Sequence, residues 1–177
     1  MRALGHGSVS SFLKVILDVF HVVLWVSAAG VSIAIVGVLL LSFEPNLLGS
    51  HLTIDKLRIE GPWLGPIAAA TLLAADLYLV GAIVIVDRLR RIFQTLIAGD
   101  PFHPDNVRRL RVIGGALAVL ELGRYAVAAL AHMIFHGRLH VGGGLSLTTW
   151  FAVLVIVVLA EIFREGARLR SEAELTI

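Results

Sequence analysis

Three ionisable residues stand inside segments that otherwise carry no acidic or basic charge. Asp76 lies in the middle of an apolar run that ends at Val86, and Glu121 and Arg124 lie in a second run that begins at Val112. A charged side chain at the centre of a membrane helix costs about 2.5–3.5 kcal/mol, so such residues pair inside a bundle. We expect an Asp76–Arg124–Glu121 cluster. It would serve either to fix helix register and orientation or as a proton-sensitive switch or small polar ligand pocket.

Three histidines form a second group of residues whose spacing would suit a metal ion. His132, His136 and His140 recur every four residues, and imidazole nitrogens bind Zn²⁺ or Cu²⁺. No carboxylate stands in this stretch and the chain has no Cys, so these are weak metal candidates. Histidines that lie at a membrane interface and sense external pH are the alternative.

Catalytic signatures are missing from the sequence. There is no Gly-x-Ser-x-Gly and no His-Glu-x-x-His, and the glycines at 142–144 are not followed by the Lys-Ser/Thr of a phosphate-binding loop. We therefore expect no catalytic residues, no cofactor and no enzymatic activity.

Apolar segments long enough to cross a membrane must position these residues. The chain is 58% hydrophobic and 16% charged, whereas soluble domains carry about 25% charged residues. About 20 apolar residues span the hydrocarbon core. The sequence predicts an all-α integral membrane protein with one domain over residues 1–177 and spans at about 19–43, 66–86, 112–135 and 145–163.

Arginines indicate which side faces the cell interior. Residues 87–111 hold six of the fifteen Lys and Arg residues, and the tail 164–177 holds three more. By the positive-inside rule, this predicts a cytoplasmic elbow between the second and third helices and cytoplasmic termini. Within the elbow, an apolar stripe at helical spacing predicts an amphipathic helix that stops at Gly99, and Pro104 begins the next helix.

Two further patterns concern the ends of the spans. In the tail, opposite charges at helical spacing predict that the fourth helix projects into the cytoplasm; the pairs are Glu161–Arg164, Glu165–Arg168 and Arg168–Glu172. On the other side, alternation over 52–59 predicts a short strand or hairpin, and 138–141 has brief strand character. Pairing of these two stretches would form a small extracytoplasmic β cap.

Two motifs carry a resemblance to a known family. They are GDPFHPDNVRRLRVIG over 99–114 and LAEIFREGARLRSEAELTI over 159–177. The sequence resembles, over nearly its whole length, the bacterial family called domain of unknown function 2975. One departure is the run 171–174, where the family has a more polar stretch. The matched positions are Gly99, Asp100, Pro101, Phe102, Asn106, Arg109, Leu110, Arg111, Glu161, Phe163, Arg164, Gly166, Leu169, Arg170, Leu175 and Thr176.

The resemblance implies a function as well as a fold. Family members are small four-helix inner-membrane proteins, often encoded beside a small Cro/CI-type helix-turn-helix regulator. This implies a non-enzymatic regulatory or sensor protein of the bacterial inner membrane that holds such a regulator at its cytoplasmic face. The partner-binding residues are then expected to be Asp100, Phe102, Asn106, Arg109, Arg111, Glu161, Arg164 and Arg168.

The sequence leaves other interpretations open. In one alternative to partner binding, the elbow packs on the fourth helix of the same chain, with Arg109 or Arg111 paired to acidic residues there. A membrane immunity or envelope-stress protein that binds a peptide or membrane partner is one alternative function, and a small dimeric carrier is another. The net charge of +2 is too small for direct nucleic-acid binding. Lipid is the expected surrounding, and homo-oligomerisation is left open.

Overall fold

Four long helices dominate the computed structural model, which describes residues 9–41, 51–54, 57–60, 64–134 and 144–174. Two short antiparallel strands form a hairpin between the first two helices, with His51 opposite Glu60 and Ile54 opposite Leu57. The elements are α1 (Val9–Leu41), β1 (His51–Ile54), β2 (Leu57–Glu60), α2 (Leu64–Ile97), α3 (Pro104–Ile134) and α4 (Leu147–Glu174).

All four helices are long and apolar enough to cross a membrane. In the apolar 18-residue stretch of each helix, no more than 17% of the residues are buried. Large side chains such as Phe12, Val26, Leu130 and Leu154 are exposed. Water penalises apolar surface on this scale, whereas lipid tails solvate it. The described helices therefore agree with the predicted multi-pass membrane protein with four spans.

The helices are longer than the predicted spans. α1 begins at Val9 rather than near residue 19, so residues ahead of the predicted first span are also helical. α2 continues through the arginines to Ile97, and α4 continues to Glu174. Hydropathy marks only the part of a helix that suits lipid, and charged ends stay helical beyond it. The elbow is thus the end of α2, a turn over 98–103 and the start of α3.

A glycine in the left-handed region ends α2. Gly99 has φ of 83°, which an L-residue with a Cβ rarely adopts. The Asp100 N–H donates to the Thr95 carbonyl at 3.0 Å, and the Gly99 N–H donates to the Leu96 carbonyl at 3.1 Å. This pair of bonds is a Schellman motif. The predicted stop at Gly99 is confirmed.

His103 caps the start of α3. Its Nδ1 accepts a hydrogen bond from the Asp105 N–H at 3.2 Å, and its carbonyl accepts one from the Asn106 N–H at 2.9 Å. Pro104 occupies the first helical position, where a missing N–H costs nothing. The predicted helix start at Pro104 is confirmed.

The chain divides into two compact units. The first contains the arginine-rich helix ends, and its buried apolar residues include Ile83, Ile113 and Ala160. Within it, α2 and α3 approach closely at Gly81, where an added Cβ would lie 2.9 Å from Leu120 Cγ. Its segments are Met1–Val23, Gly81–Glu121 and Ser146–Ile177.

The second unit comprises Leu24–Val80 and Leu122–Leu145. Among its described residues the buried apolar ones are alanines, with Ala28 on α1, Ala69 on α2 and Ala128 on α3. Small side chains at buried positions are typical of helices that pack inside a membrane. The β1–β2 hairpin belongs to this unit, whereas the stretch 138–141 that was expected to pair with it lies outside the described residues.

Candidate functional site at the arginine-rich helix ends

The two sequence motifs meet where the turn after α2 touches α4. The Asp100 carboxylate forms an ion pair with the Arg170 guanidinium. The Phe102 ring packs against Phe163, with ring centroids 5.7 Å apart and the planes tilted by 51°. Such aromatic pairs contribute about 0.5–1.5 kcal/mol beyond the area they bury. These contacts hold the turn on α4 and join the motif at 99–114 to the motif at 159–177.

Gly166 on α4 provides the space that Phe102 occupies. A Cβ added at Gly166 would lie 2.6 Å from both Cδ1 and Cε1 of the Phe102 ring. Real Cβ atoms do not approach other atoms that closely, so any larger residue would displace the ring. Gly166 is therefore needed for close approach of the turn.

Asn106 is the centre of the hydrogen bonding between α2 and α3. Its side chain is fully buried, at 0% exposure. Nδ2 donates to Thr95 Oγ1 at 2.7 Å and to the Pro101 carbonyl at 3.0 Å, while Oδ1 accepts from Arg109 Nη1 at 2.9 Å. Both amide donors and the acceptor are thus used, as a buried amide requires. Asn106 lies inside the turn rather than on the predicted binding surface.

Arg109 is also held by its own chain. Its Nη1 donates to the Arg91 carbonyl at 3.0 Å, and its Nη2 lies 3.8 Å from Asp105 Oδ2. Arg111 is exposed and forms no ion pair within the described part of the chain. Among the described residues, the arginines of the elbow therefore do not pair with the acidic residues of α4. Such pairing was part of the alternative in which the elbow packs on the fourth helix.

Three acidic residues of α4 pair along their own helix. Glu161 pairs with Arg164, Glu165 with Arg168 at 2.7 Å, and Glu172 with Arg168 at 3.5 Å. These are the three intrahelical pairs predicted from the spacing, and they are confirmed.

A groove of about 570 Å³ runs between the turn and α4, and we call it the α4 groove. Phe102, Pro104 and Ala167 supply its apolar surface, and three arginines supply positive charge. Four of the eight predicted partner-binding residues line it, namely Asp100, Phe102, Arg164 and Arg168. Its other lining residues are His103, Pro104, Ala167, Arg170 and Ser171.

The charged residues inside the spans have partners that the sequence did not single out. Asp76 Oδ2 accepts a hydrogen bond from Ser32 Oγ on α1 at 3.1 Å, and Oδ1 is buried without a partner among the described residues. Arg124 donates from Nη2 to the Gly144 carbonyl at 2.8 Å and lies over the Tyr125 ring. Glu121 is 6% exposed. The three-residue cluster stays a prediction.

Only one of the three histidines proposed as metal candidates lies among the described residues. His132 is exposed in the last turn of α3, and His136 and His140 fall outside the described residues. Within the ranges that the structure describes, no group of three or more His, Asp or Glu side chains is placed to hold a metal ion.

Comparison with known proteins adds one match. Residues 48–177 match the family described as "Protein of unknown function (DUF2975)". No curated protein and no solved structure matches the chain. Both motifs that build the α4 groove lie inside the matched range.

Proposed function

The chain belongs to the DUF2975 family, whose function is unknown, and we propose that it is a non-enzymatic regulator or sensor of the bacterial inner membrane. In this proposal it holds a small helix-turn-helix transcription regulator at its cytoplasmic face, in the α4 groove. The observation that carries the proposal is that both family motifs contribute side chains to one groove at the arginine-rich helix ends.

The orientation in the membrane is part of the proposal. The ends of α2, α3 and α4 that meet at the turn carry arginines close to the apolar spans, and such residues favour the cytoplasmic side. A DNA-binding partner is found only on that side. The β1–β2 hairpin would then face the periplasm, where it is available to a stimulus.

The groove favours an acidic partner segment with an apolar anchor. Guanidinium groups bind carboxylates through paired hydrogen bonds, and an apolar side chain would cover Phe102 and Ala167. Arg164 and Arg168 are 59% and 62% exposed, and their intrahelical pairs contribute only about 0.3–0.5 kcal/mol each. These arginines can therefore exchange their own glutamates for carboxylates of a partner at little cost.

Co-purification tests this proposal. The chain is expressed with the helix-turn-helix protein encoded beside its gene, and the partner recovered in detergent is quantified. Reversing one groove charge with Arg168→Glu is expected to reduce recovery by about tenfold or more, because like charges then face each other. Lys14→Glu is the matched control, since Lys14 is also basic and exposed but does not line the groove.

The two variants separate specific docking from general attraction. Full recovery with Lys14→Glu and loss with Arg168→Glu support the groove. Wild-type recovery with Arg168→Glu, or equal loss with both variants, contradicts the proposal.

A further inference from the structure

We propose that a second site, between the end of α2 and the start of α3, binds the phosphate group of an acidic membrane lipid. This cleft has a volume of about 270 Å³, and we call it the arginine cleft. It shares no lining residue with the α4 groove. It is lined by Arg88, Arg91, Arg108, Arg109, Asp105 and Val112.

Positive charge in the arginine cleft exceeds the negative charge that the described residues place beside it. Asp87 Oδ2 lies 3.0 Å from Arg91 Nε but 4.0 Å from Arg88 Nη1, which is a weak contact. Asp105 Oδ2 lies 3.8 Å from Arg109 Nη2. Arg108 forms no ion pair with any described residue. Two carboxylates thus face four guanidinium groups. Like charges held together repel, and a bound anion removes that repulsion.

Hydrogen-bond donors in the cleft are also unused. Nε of Arg88 is buried and has no partner among the described residues. Arg108 is exposed and has no hydrogen-bond partner among the described residues, so its donors are accessible to a phosphate oxygen. Arg109 is already fixed by Asn106 and by the Arg91 carbonyl, so it is pre-organised for an anion. Guanidinium groups match phosphate oxygens in paired geometry.

The position of the cleft along the helices points to a lipid as the source of the phosphate. Arg88 comes two residues after Val86, the last residue of the apolar run on α2, and Val112 begins the apolar run on α3. The cleft therefore opens where hydrocarbon gives way to headgroups, and basic pockets at this level bind acidic lipid headgroups. A zwitterionic headgroup would bring its ammonium group toward the arginines, so an acidic lipid is favoured.

Lipid binding to the purified full chain in detergent tests the proposal. Phosphatidylglycerol and phosphatidylethanolamine are titrated separately, and bound lipid is counted by native mass spectrometry. The variant Arg88→Gln/Arg108→Gln is expected to bind phosphatidylglycerol about 30-fold more weakly, because it removes two of the guanidinium groups that would contact the phosphate. The single variant Arg108→Gln, which breaks no ion pair, is expected to lose about fivefold and guards against misfolding of the double variant.

The control removes the same charge elsewhere. Lys14 and Arg111 are exposed and do not line the cleft, so Lys14→Gln/Arg111→Gln is expected to bind phosphatidylglycerol like the wild type. Equal loss in this control, or equal binding of the two lipids to the wild type, would overturn the site.

Competition with a soluble phosphate compound distinguishes a lipid headgroup from a free phosphate compound as the ligand. sn-Glycerol 3-phosphate carries a phosphate group without acyl chains. Failure of this compound to displace the lipid supports the lipid as the ligand. Displacement at concentrations comparable to those of the lipid would overturn the lipid assignment in favour of a free phosphate compound.

Discussion

Replacing Asn106 with aspartate is expected to lower the local free energy of unfolding of the α2–α3 turn by about 2–4 kcal/mol. The change is isosteric, so packing is kept and only the polar chemistry is altered. The buried Nδ2 that donates to Thr95 Oγ1 and the Pro101 carbonyl becomes an oxygen. The Pro101 carbonyl then loses its donor and faces a buried negative charge, which Arg109 alone compensates.

Hydrogen exchange in detergent measures this effect. Amides of residues 95–109 in Asn106→Asp are expected to exchange faster, while amides in the apolar spans keep their protection. Gln94→Glu is the control, because it makes the same amide-to-acid change at an exposed neighbouring position. If Asn106→Asp exchanged no faster than Gln94→Glu, the hydrogen bonding around Asn106 would not hold the turn.

Replacing Gly166 with alanine is expected to release the turn from α4. The added Cβ would occupy the space of the Phe102 ring, and overpacking of this kind costs about 1–3 kcal/mol. Alanine also favours the helix by about 1 kcal/mol over glycine, which partly hides the loss. Gly115→Ala is the matched control, since a Cβ at Gly115 meets nothing within 4 Å and the same helix preference applies.

A double variant tests the cause of this effect. Thermal unfolding and limited proteolysis in the turn are compared for Gly166→Ala, Phe102→Ala and the two changes together. Because Phe102→Ala removes the ring that the new Cβ meets, Gly166→Ala should cost nothing further in that background. Strictly additive losses would contradict the assigned contact between Gly166 and Phe102.

Local patterns predicted the parts of the fold that depend on near neighbours in sequence. Gly99 and Pro104 have backbone preferences that end one helix and begin the next, whatever surrounds them. The intrahelical ion pairs of α4 follow from helical spacing alone. The four apolar segments were equally readable, because each must suit lipid along its own length.

Contacts between residues far apart in sequence could not be predicted from local patterns. Asp100 and Arg170 are separated by 70 positions, and no local pattern joins them. Asn106 was expected among the partner-binding residues because it belongs to the matched motif, yet the turn folds over it and buries it completely. Ser32 carried no signal that it would reach Asp76 on another helix.

The motif residues consequently divide into two groups. Asn106, Gly166 and Phe163 build the turn and dock it, whereas Arg164 and Arg168 remain exposed around the α4 groove. Phe102 does both, because its ring packs on α4 and also lines the groove. A sequence motif by itself does not separate residues that build a surface from residues that a partner would touch.

Single-cysteine labelling tests most directly whether both motifs face the cell interior. The chain has no native Cys, so a cysteine introduced at Asp105 or Ser171 is unique, and both positions are exposed. With a membrane-impermeant maleimide on spheroplasts, we expect labelling of Asp105→Cys and Ser171→Cys only after the membrane is opened. Thr148→Cys, at the other end of α4, should label before opening. Labelling at 105 or 171 in intact spheroplasts would contradict this orientation, because the α4 groove would then face away from any cytoplasmic regulator.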